Sequence, residues 1–340
     1  MKQVWIRKTG SPQVLHLQET TAPIPGNGEV RIKVAAIGVN FADLLGRIGV
    51  YPDAPATPYV PGYEVSGVVD AVGQGVTSLH EGDRVFALTR FGGYSTAVCV
   101  PHKQVFKAYD WMSDYDAAAI PVSYLTAYMA LVVLGALRKD DTVLIHGVGG
   151  GVGLAALDIC RIMGAHTIGT ASAGKHAFLQ ERGLDTAVDY RHPDRDYERD
   201  VQELTNGRGV NLILDSLGGH HWQKNYRLLT PLGRLIVLGA SSMVPSHKRS
   251  LFAIVRGYLS QPRFTPLQLM SDNKGVLGLN IGHLWDQKDA LRDYMAQIVT
   301  WYDAAEFRPH IDQVFKLADA AEAHTYVQER QNMGKVLLVP

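Results

Sequence analysis

Cysteine is nearly absent: Cys99 and Cys160 are the two in 340 residues. Two thiols make no CxxC pair, no disulfide framework and no thiolate set for a structural zinc, and Cys160 reads as a small buried apolar residue. Charge of one sign is not in excess either. Lys plus Arg and Asp plus Glu number 33 each, which leaves no global field to gather nucleic acid or an acidic membrane surface. No apolar run reaches the length of a membrane span, and the opening MKQVWIRKTG lacks the apolar core of a signal peptide, so the expected location is cytoplasmic. The 13 histidines fall into no H-E-x-x-H or similar spacing, and no metal is expected.

What the chain does have is core and glycine. A hydrophobic content of 46% against 19% charged residues describes a globular protein, and 340 residues is a prior for about two domains. The most informative stretch is 142–175, TVLIHGVGGGVGLAALDICRIMGAHTIGTASAGK. An apolar run, Thr142 to His146, reads as a buried parallel strand. A glycine turn follows, then an amphipathic helix from Leu154 to Met163 and a second strand from His166 to Ala171. In such a βαβ unit, glycine lets the backbone turn sharply and lets a pyrophosphate approach the free N–H groups of a helix N-terminus. Gly147, Gly150 and Gly153 hold a G-x-x-G-x-x-G spacing. The stricter G-x-G-x-x-G register ending at Gly153 would begin at Val148 and fails there. The candidate cofactor residues of the turn are Gly147, Gly149, Gly150, Gly151, Val152 and Gly153.

A carboxylate is also missing where it would matter. An Asp or Glu at the end of the second strand binds a ribose 2′-hydroxyl and repels a 2′-phosphate. Here that strand runs into Ser172 and Lys175, a hydroxyl and a cation that suit a phosphate, and the expected cofactor is NADPH. The plainer alternative for Lys175 is a solvated residue at a helix start.

Residues 1 to 110 read mostly as strands, among them Val30–Ile37 and Glu64–Val72, punctuated by glycine turns: a partly closed, barrel-like β domain. Helical periodicity takes over from Asp116 to Leu137. After Lys175, helix and strand alternate, with strands at 186–190, 210–215 and 234–239 and a sixth at 275–279. This is the pattern of a doubly wound parallel sheet, an α/β Rossmann domain. The tail beyond Leu284 is too short to fold alone and is expected to complete the first domain.

Several ordered motifs, Gly38-Val39-Asn40-Phe41-Ala42-Asp43, Pro61-Gly62-Tyr63-Glu64, Gly82-Asp83-Arg84-Val85, Tyr124-Leu125-Thr126-Ala127-Tyr128, the glycine turn and Gly334-Lys335-Val336, resemble the medium-chain dehydrogenase/reductase superfamily. The likeness is to its zinc-free quinone oxidoreductase branch, and residues 248–270 with 276–280 resemble the vesicle amine transport protein-like group. The resemblance implies a GroES-like substrate domain, 1–121 with 285–340, around a Rossmann domain, 122–284. Its zinc-dependent members hold the metal through a Cys where this chain has Asn40 and a His where it has Tyr63. Without a Lewis acid, hydride transfer is left to acceptors already poor in electrons, quinones and α,β-unsaturated carbonyls.

The resemblance also places the nicotinamide near Asn40 and Thr126, the adenosine 2′-phosphate near Tyr190, and Leu238, Gly239, Ala240 and Asn280 along the cofactor. Tyr51 and Tyr63 are candidate proton donors, although tyrosines in a barrel also serve as packing. The basic, apolar stretch Lys248 to Met270 reads as a flap over an apolar acceptor site or as a membrane-surface segment. The exposed sheet edge after the sixth strand and the family likeness imply a homodimer. Three functions stay open: an NADPH-dependent quinone reductase, a 2-alkenal or enone reductase, and an NADPH-liganded, lipid-associated binding protein with little catalysis.

Overall fold

The structure, a computed structural model, describes residues 1–190, 196–241 and 261–340. The strand Glu29–Val39 organises the mostly β part. Its alternate side chains Val30, Ile32 and Val34 are buried, the period-two pattern of a strand with one face in a core. It pairs antiparallel with Glu64–Val72, with Ala97–Pro101 and with the chain's last strand, Lys335–Val339. Lys335–Val339 pairs in turn, parallel, with Ile311–Lys316. The tail therefore completes the sheet that the first 110 residues begin. Its helix Lys288–Asp303 packs elsewhere, against the helix Pro121–Tyr128, through the buried stripe Leu291, Met295, Ile298 and Tyr302.

The second sheet is wholly parallel. Its strands lie in the order Thr186–Asp189, His166–Ala171, Thr142–His146, Val210–Asp215, Leu229–Val237, Gly275–Gly278. The chain winds outward from Thr142–His146 in one direction and then restarts beside it at Val210–Asp215. Between these two neighbours the loops leave in opposite directions and open a crevice at the strands' carboxyl ends, where ligands of such sheets bind.

Three strands, Thr142–His146, His166–Ala171 and Val210–Asp215, fall where the sequence reading places them. The helix after the glycine turn begins earlier than expected, at Gly151 rather than Leu154. Glycine costs a helix interior about 1 kcal/mol relative to alanine, but in the first turn it allows close packing. A Cβ on Gly153 would stand 2.5 Å from the Gly147 carbonyl oxygen. The fifth parallel strand also starts early, at Leu229, because Leu229 pairs with Val210 across a register shift before Leu212 and Arg234 come into line. The expected helical run 116–137 divides into Asp114–Ala119, Pro121–Tyr128 and a π-helical turn, Met129–Leu134. Pro121 restarts the helix at a first-turn position, where its missing N–H costs nothing.

Most of the basic, apolar stretch, residues 248–260, lies outside the described residues. Its end forms the helix Pro266–Asp272, with Leu267 and Met270 largely exposed beside the sheet edge. Among the described residues no helix is long and apolar enough to cross a membrane.

Candidate functional site

The parallel topology gathers the sequence's cofactor candidates on one rim. The glycine turn follows Thr142–His146, Ser172 follows His166–Ala171, and Tyr190 follows Thr186–Asp189. Leu238, Gly239 and Ala240 follow Leu229–Val237, and Asn280 lies two residues past Gly275–Gly278. Gly147 takes a positive φ of 64°, and its N–H donates to Thr170 Oγ1 at 3.2 Å, which fixes the turn against the neighbouring strand. Gly150 caps the following helix without a side chain, so no capping side chain takes up the first-turn N–H groups of Gly151, Val152 and Gly153, the kind of helix start that suits an anion.

Lys175 is half-buried and tied to the backbone of a distant segment. Its Nζ donates to the carbonyl oxygen of Arg330 at 3.0 Å and to that of Asn332, and its side chain passes beside Gly149, where an added Cβ would stand 3.1 Å from Lys175 Cδ. Gly334 N–H donates to Gly149 O at 2.8 Å. The segment 330–334 thus ties the cofactor turn to the last strand of the β sheet.

Across the crevice stands a buried polar cluster centred on Asn40, at the end of Glu29–Val39 and the start of the helix Phe41–Ile48. Its Nδ2 donates to Glu64 Oε1 at 2.8 Å and to Gly38 O at 3.3 Å, and its Oδ1 accepts from Lys335 Nζ at 2.7 Å. Lys335 Nζ also forms an ion pair with Glu64 Oε1 at 2.5 Å, and Glu64 Oε2 accepts from Val122 N–H at the head of the helix that carries Thr126. Glu64 is wholly buried and Lys335 is 4% exposed. The Lys335 stem also reaches the glycine turn: a Cβ on Gly151 would come within 3.5 Å of Lys335 Cδ. A lysine heading the apolar run Val336–Val339 was a signal in the sequence, but its contacts were not.

Behind Asn40, Asp43 accepts from the N–H groups of Asn40 and Gly62, each at 2.9 Å. Burial raises its carboxyl to about 7 in spite of these donors. Tyr94 and His324 continue the network, their hydroxyl and Nε2 2.9 Å apart, and Arg47 Nε donates to His324 Nδ1 at 3.2 Å. Burial of the His324 ring lowers its pKa well below the usual imidazole range.

Tyr63 and Tyr51 line the same side of the crevice with rings set edge to face, 6.3 Å apart, and Tyr63 packs on Phe91 at 5.1 Å. Burial raises both phenols, so each remains a donor through the neutral range. Thr126 is half-buried on Pro121–Tyr128. Asn280 is engaged across the crevice: its Nδ2 donates to Asp53 Oδ2 at 2.9 Å and its Oδ1 accepts from Gly282 N–H. Asp53 and its second partner, His283, are residues that the sequence reading missed.

Residues 26–110 match the model of the alcohol dehydrogenase GroES-like domain, and residues 182–338 match that of zinc-binding dehydrogenases. The chain is 39% identical to the mouse synaptic vesicle membrane protein VAT-1 homolog over 96% of its own length and 80% of that protein's. Human quinone oxidoreductase is 30% identical, with 100% of this chain and 98% of that protein aligned. The chain belongs to the medium-chain dehydrogenase/reductase superfamily, in its zinc-independent quinone oxidoreductase branch close to VAT-1. Among solved structures, Escherichia coli quinone oxidoreductase complexed with NADPH superposes over 100% of both chains, with a TM-score of 0.88 and 26% identity.

For a dehydrogenase/reductase whose family model carries zinc in its description, the donor set here is unsuited to the metal. Asn40 and Tyr63 replace the soft thiolate and imidazole that zinc prefers. The ammonium of Lys335 already occupies Asn40 Oδ1 and Glu64, and a second cation there would be repelled. The glycine turn, by contrast, fits a dinucleotide: an uncapped helix N-terminus, and a close approach at Gly153 that any side chain would block.

Proposed function

We propose that the protein is an NADPH-dependent, zinc-independent reductase that transfers hydride to quinones or related conjugated carbonyls. One observation carries the reading: the site has a built dinucleotide turn but, where a Lewis acid would act, a closed Asn40–Glu64–Lys335 cluster. Such a site suits acceptors whose negative charge delocalises after hydride attack and needs only hydrogen bonds. The cofactor is NADPH, consistent with the NADPH complex of the E. coli enzyme. When bound, it supplies the hydride.

The chain's own residues do the rest. Gly147 to Gly153 receive the pyrophosphate, and Ser172, Lys175 and Tyr190 form the 2′-phosphate pocket. Leu238 to Ala240 support the nicotinamide side, Asn40 and Thr126 border the ring, and Tyr51 and Tyr63 present phenolic donors to the acceptor. The enzyme is cytoplasmic and works as a homodimer joined along Gly275–Gly278, which among the described residues pairs on one side only and is flanked by exposed Leu267 and Met270.

The test is NADPH oxidation with a panel of quinones and enones. Higher kcat/KM for quinones assigns quinone reduction, higher values for enones assign enone reduction, and no turnover with either refutes the proposal. A second reading, a lipid-associated NADPH-binding protein, draws on the vesicle-membrane name of the 39% identical relative. Sedimentation with anionic vesicles together with no turnover supports it; turnover without sedimentation removes it.

A further inference from the structure

Four polar side chains meet at the mouth of the crevice, two from each sheet's side. Tyr51 and Asp53 lie on the loop that leaves Phe41–Ile48; Asn280 and His283 lie on the turn after Gly275–Gly278. His283 Nε2 donates to Asp53 Oδ1 at 2.7 Å, and Asn280 Nδ2 donates to Asp53 Oδ2 at 2.9 Å. The Tyr51 hydroxyl interacts with Asp53, Asn280 and Tyr63, and lies against Gly282, where an added Cβ would be 3.4 Å from it. The other titratable groups facing the cluster are Tyr63 and, behind it, Tyr59 and Asp43.

The cluster grades from water inward. The side chain of His283 is 65% exposed and that of Asp53 is 26% exposed, while the inner ring, Tyr63, is buried. An ion pair this exposed contributes about 0–1 kcal/mol to stability, too little to explain why Asp53, with Asn280 and His283 bonded to it, stands beside the Tyr51 phenol. A reductase that delivers hydride beside the packed rings of Tyr51, Tyr63 and Phe91 must also deliver a proton there.

We propose that Asp53 and His283 form a relay that returns protons from solvent to Tyr51, the donor to the reduced acceptor. The proposal rests on the reductase reading above. Hydride from NADPH adds to the acceptor, which gains two electrons while the cofactor is oxidised. The Tyr51 O–H bond breaks and its proton goes to the acceptor's anionic oxygen. Tyr51 regains a proton through the Asp53 carboxyl group from the His283 imidazolium, which is then reprotonated by water. The relay is complete only while both sides of the crevice are joined, since Asp53 belongs to one and His283 to the other. Tyr51 is the catalytic residue of this scheme; Asp53 and His283 act through it.

The experiment compares wild type, Tyr51→Phe, Asp53→Asn, His283→Gln and His283→Ala by the pH dependence of kcat with NADPH and a quinone, each variant first checked for NADPH binding. His283→Gln loses about tenfold in kcat, and added imidazole restores His283→Ala. Tyr51→Phe loses about 10²-fold, the lower end of general-acid contributions. Wild-type pH profiles in Asp53→Asn and His283→Gln, with a change only in KM or in melting temperature, reduce the pair to a strut and overturn the relay. A wild type that binds NADPH but turns over no acceptor overturns the reductase reading itself, and the relay with it.

Discussion

Lys335 and Asn40, 295 positions apart in the chain, meet at 2.7 Å and share Glu64 as a common partner. The contact fixes the Asn40 amide from both ends, and it exists only because the last strand pairs with Glu29–Val39. Removing the ammonium leaves the Glu64 carboxylate buried beside Asn40 with its main counter-charge gone. Lys335→Met should therefore cost about 3–5 kcal/mol of stability, read by denaturant unfolding. Lys335→Met combined with Glu64→Gln should recover part of that loss, because no charge is then stranded.

The close approach of Gly153 to Gly147 makes a steric prediction for the cofactor turn. An alanine at 153 meets backbone atoms at 2.5 and 2.6 Å, and backbone cannot swing aside. Gly153→Ala should weaken NADPH binding at least about tenfold by fluorescence titration, a cost of 1.4 kcal/mol or more. Gly174→Ala, with nothing within 4 Å of the added carbon, is the matched control and should bind as wild type.

Asp43 links stability to pH. Burial raises its carboxyl from 3.8 to about 7, so between these values the native state holds a proton that the unfolded chain has released. Its contribution is fully present below about 4 and is lost as pH rises toward and through 7. Asp43→Asn should flatten stability over this window, as measured by urea midpoints at a series of pH values. It should also lower stability overall, because an amide offers one acceptor oxygen where Asn40 N–H and Gly62 N–H use two.

Lys175 tests the choice of nucleotide. Its ammonium is anchored to the Arg330 and Asn332 carbonyls beside the cofactor turn, which holds the charge at the expected 2′-phosphate pocket. Lys175→Ala should weaken NADPH binding by about tenfold or more while leaving NADH binding nearly unchanged. Equal loss for both nucleotides would move Lys175 from phosphate recognition to holding the 330–334 segment.

The fold was legible where its signals are local. Apolar β-branched runs bounded by glycine marked Thr142–His146 and His166–Ala171 to the residue, since neighbouring side chains alone determine such strands. The early starts at Gly151 and Leu229 were hidden because glycine packing and a register shift depend on partners elsewhere in the sheet. The site divides in the same way. The glycine turn announces itself in consecutive residues, whereas the Lys335–Asn40 and His283–Asp53 contacts span 295 and 230 positions and carry no local pattern.

The most direct test of the account is NADPH oxidation by a quinone after exhaustive dialysis against a chelator. The account predicts turnover undiminished by the chelator and unchanged by added zinc, because Asn40, Glu64 and Lys335 close the position a metal would need. Activity lost on chelation and restored by zinc would contradict it.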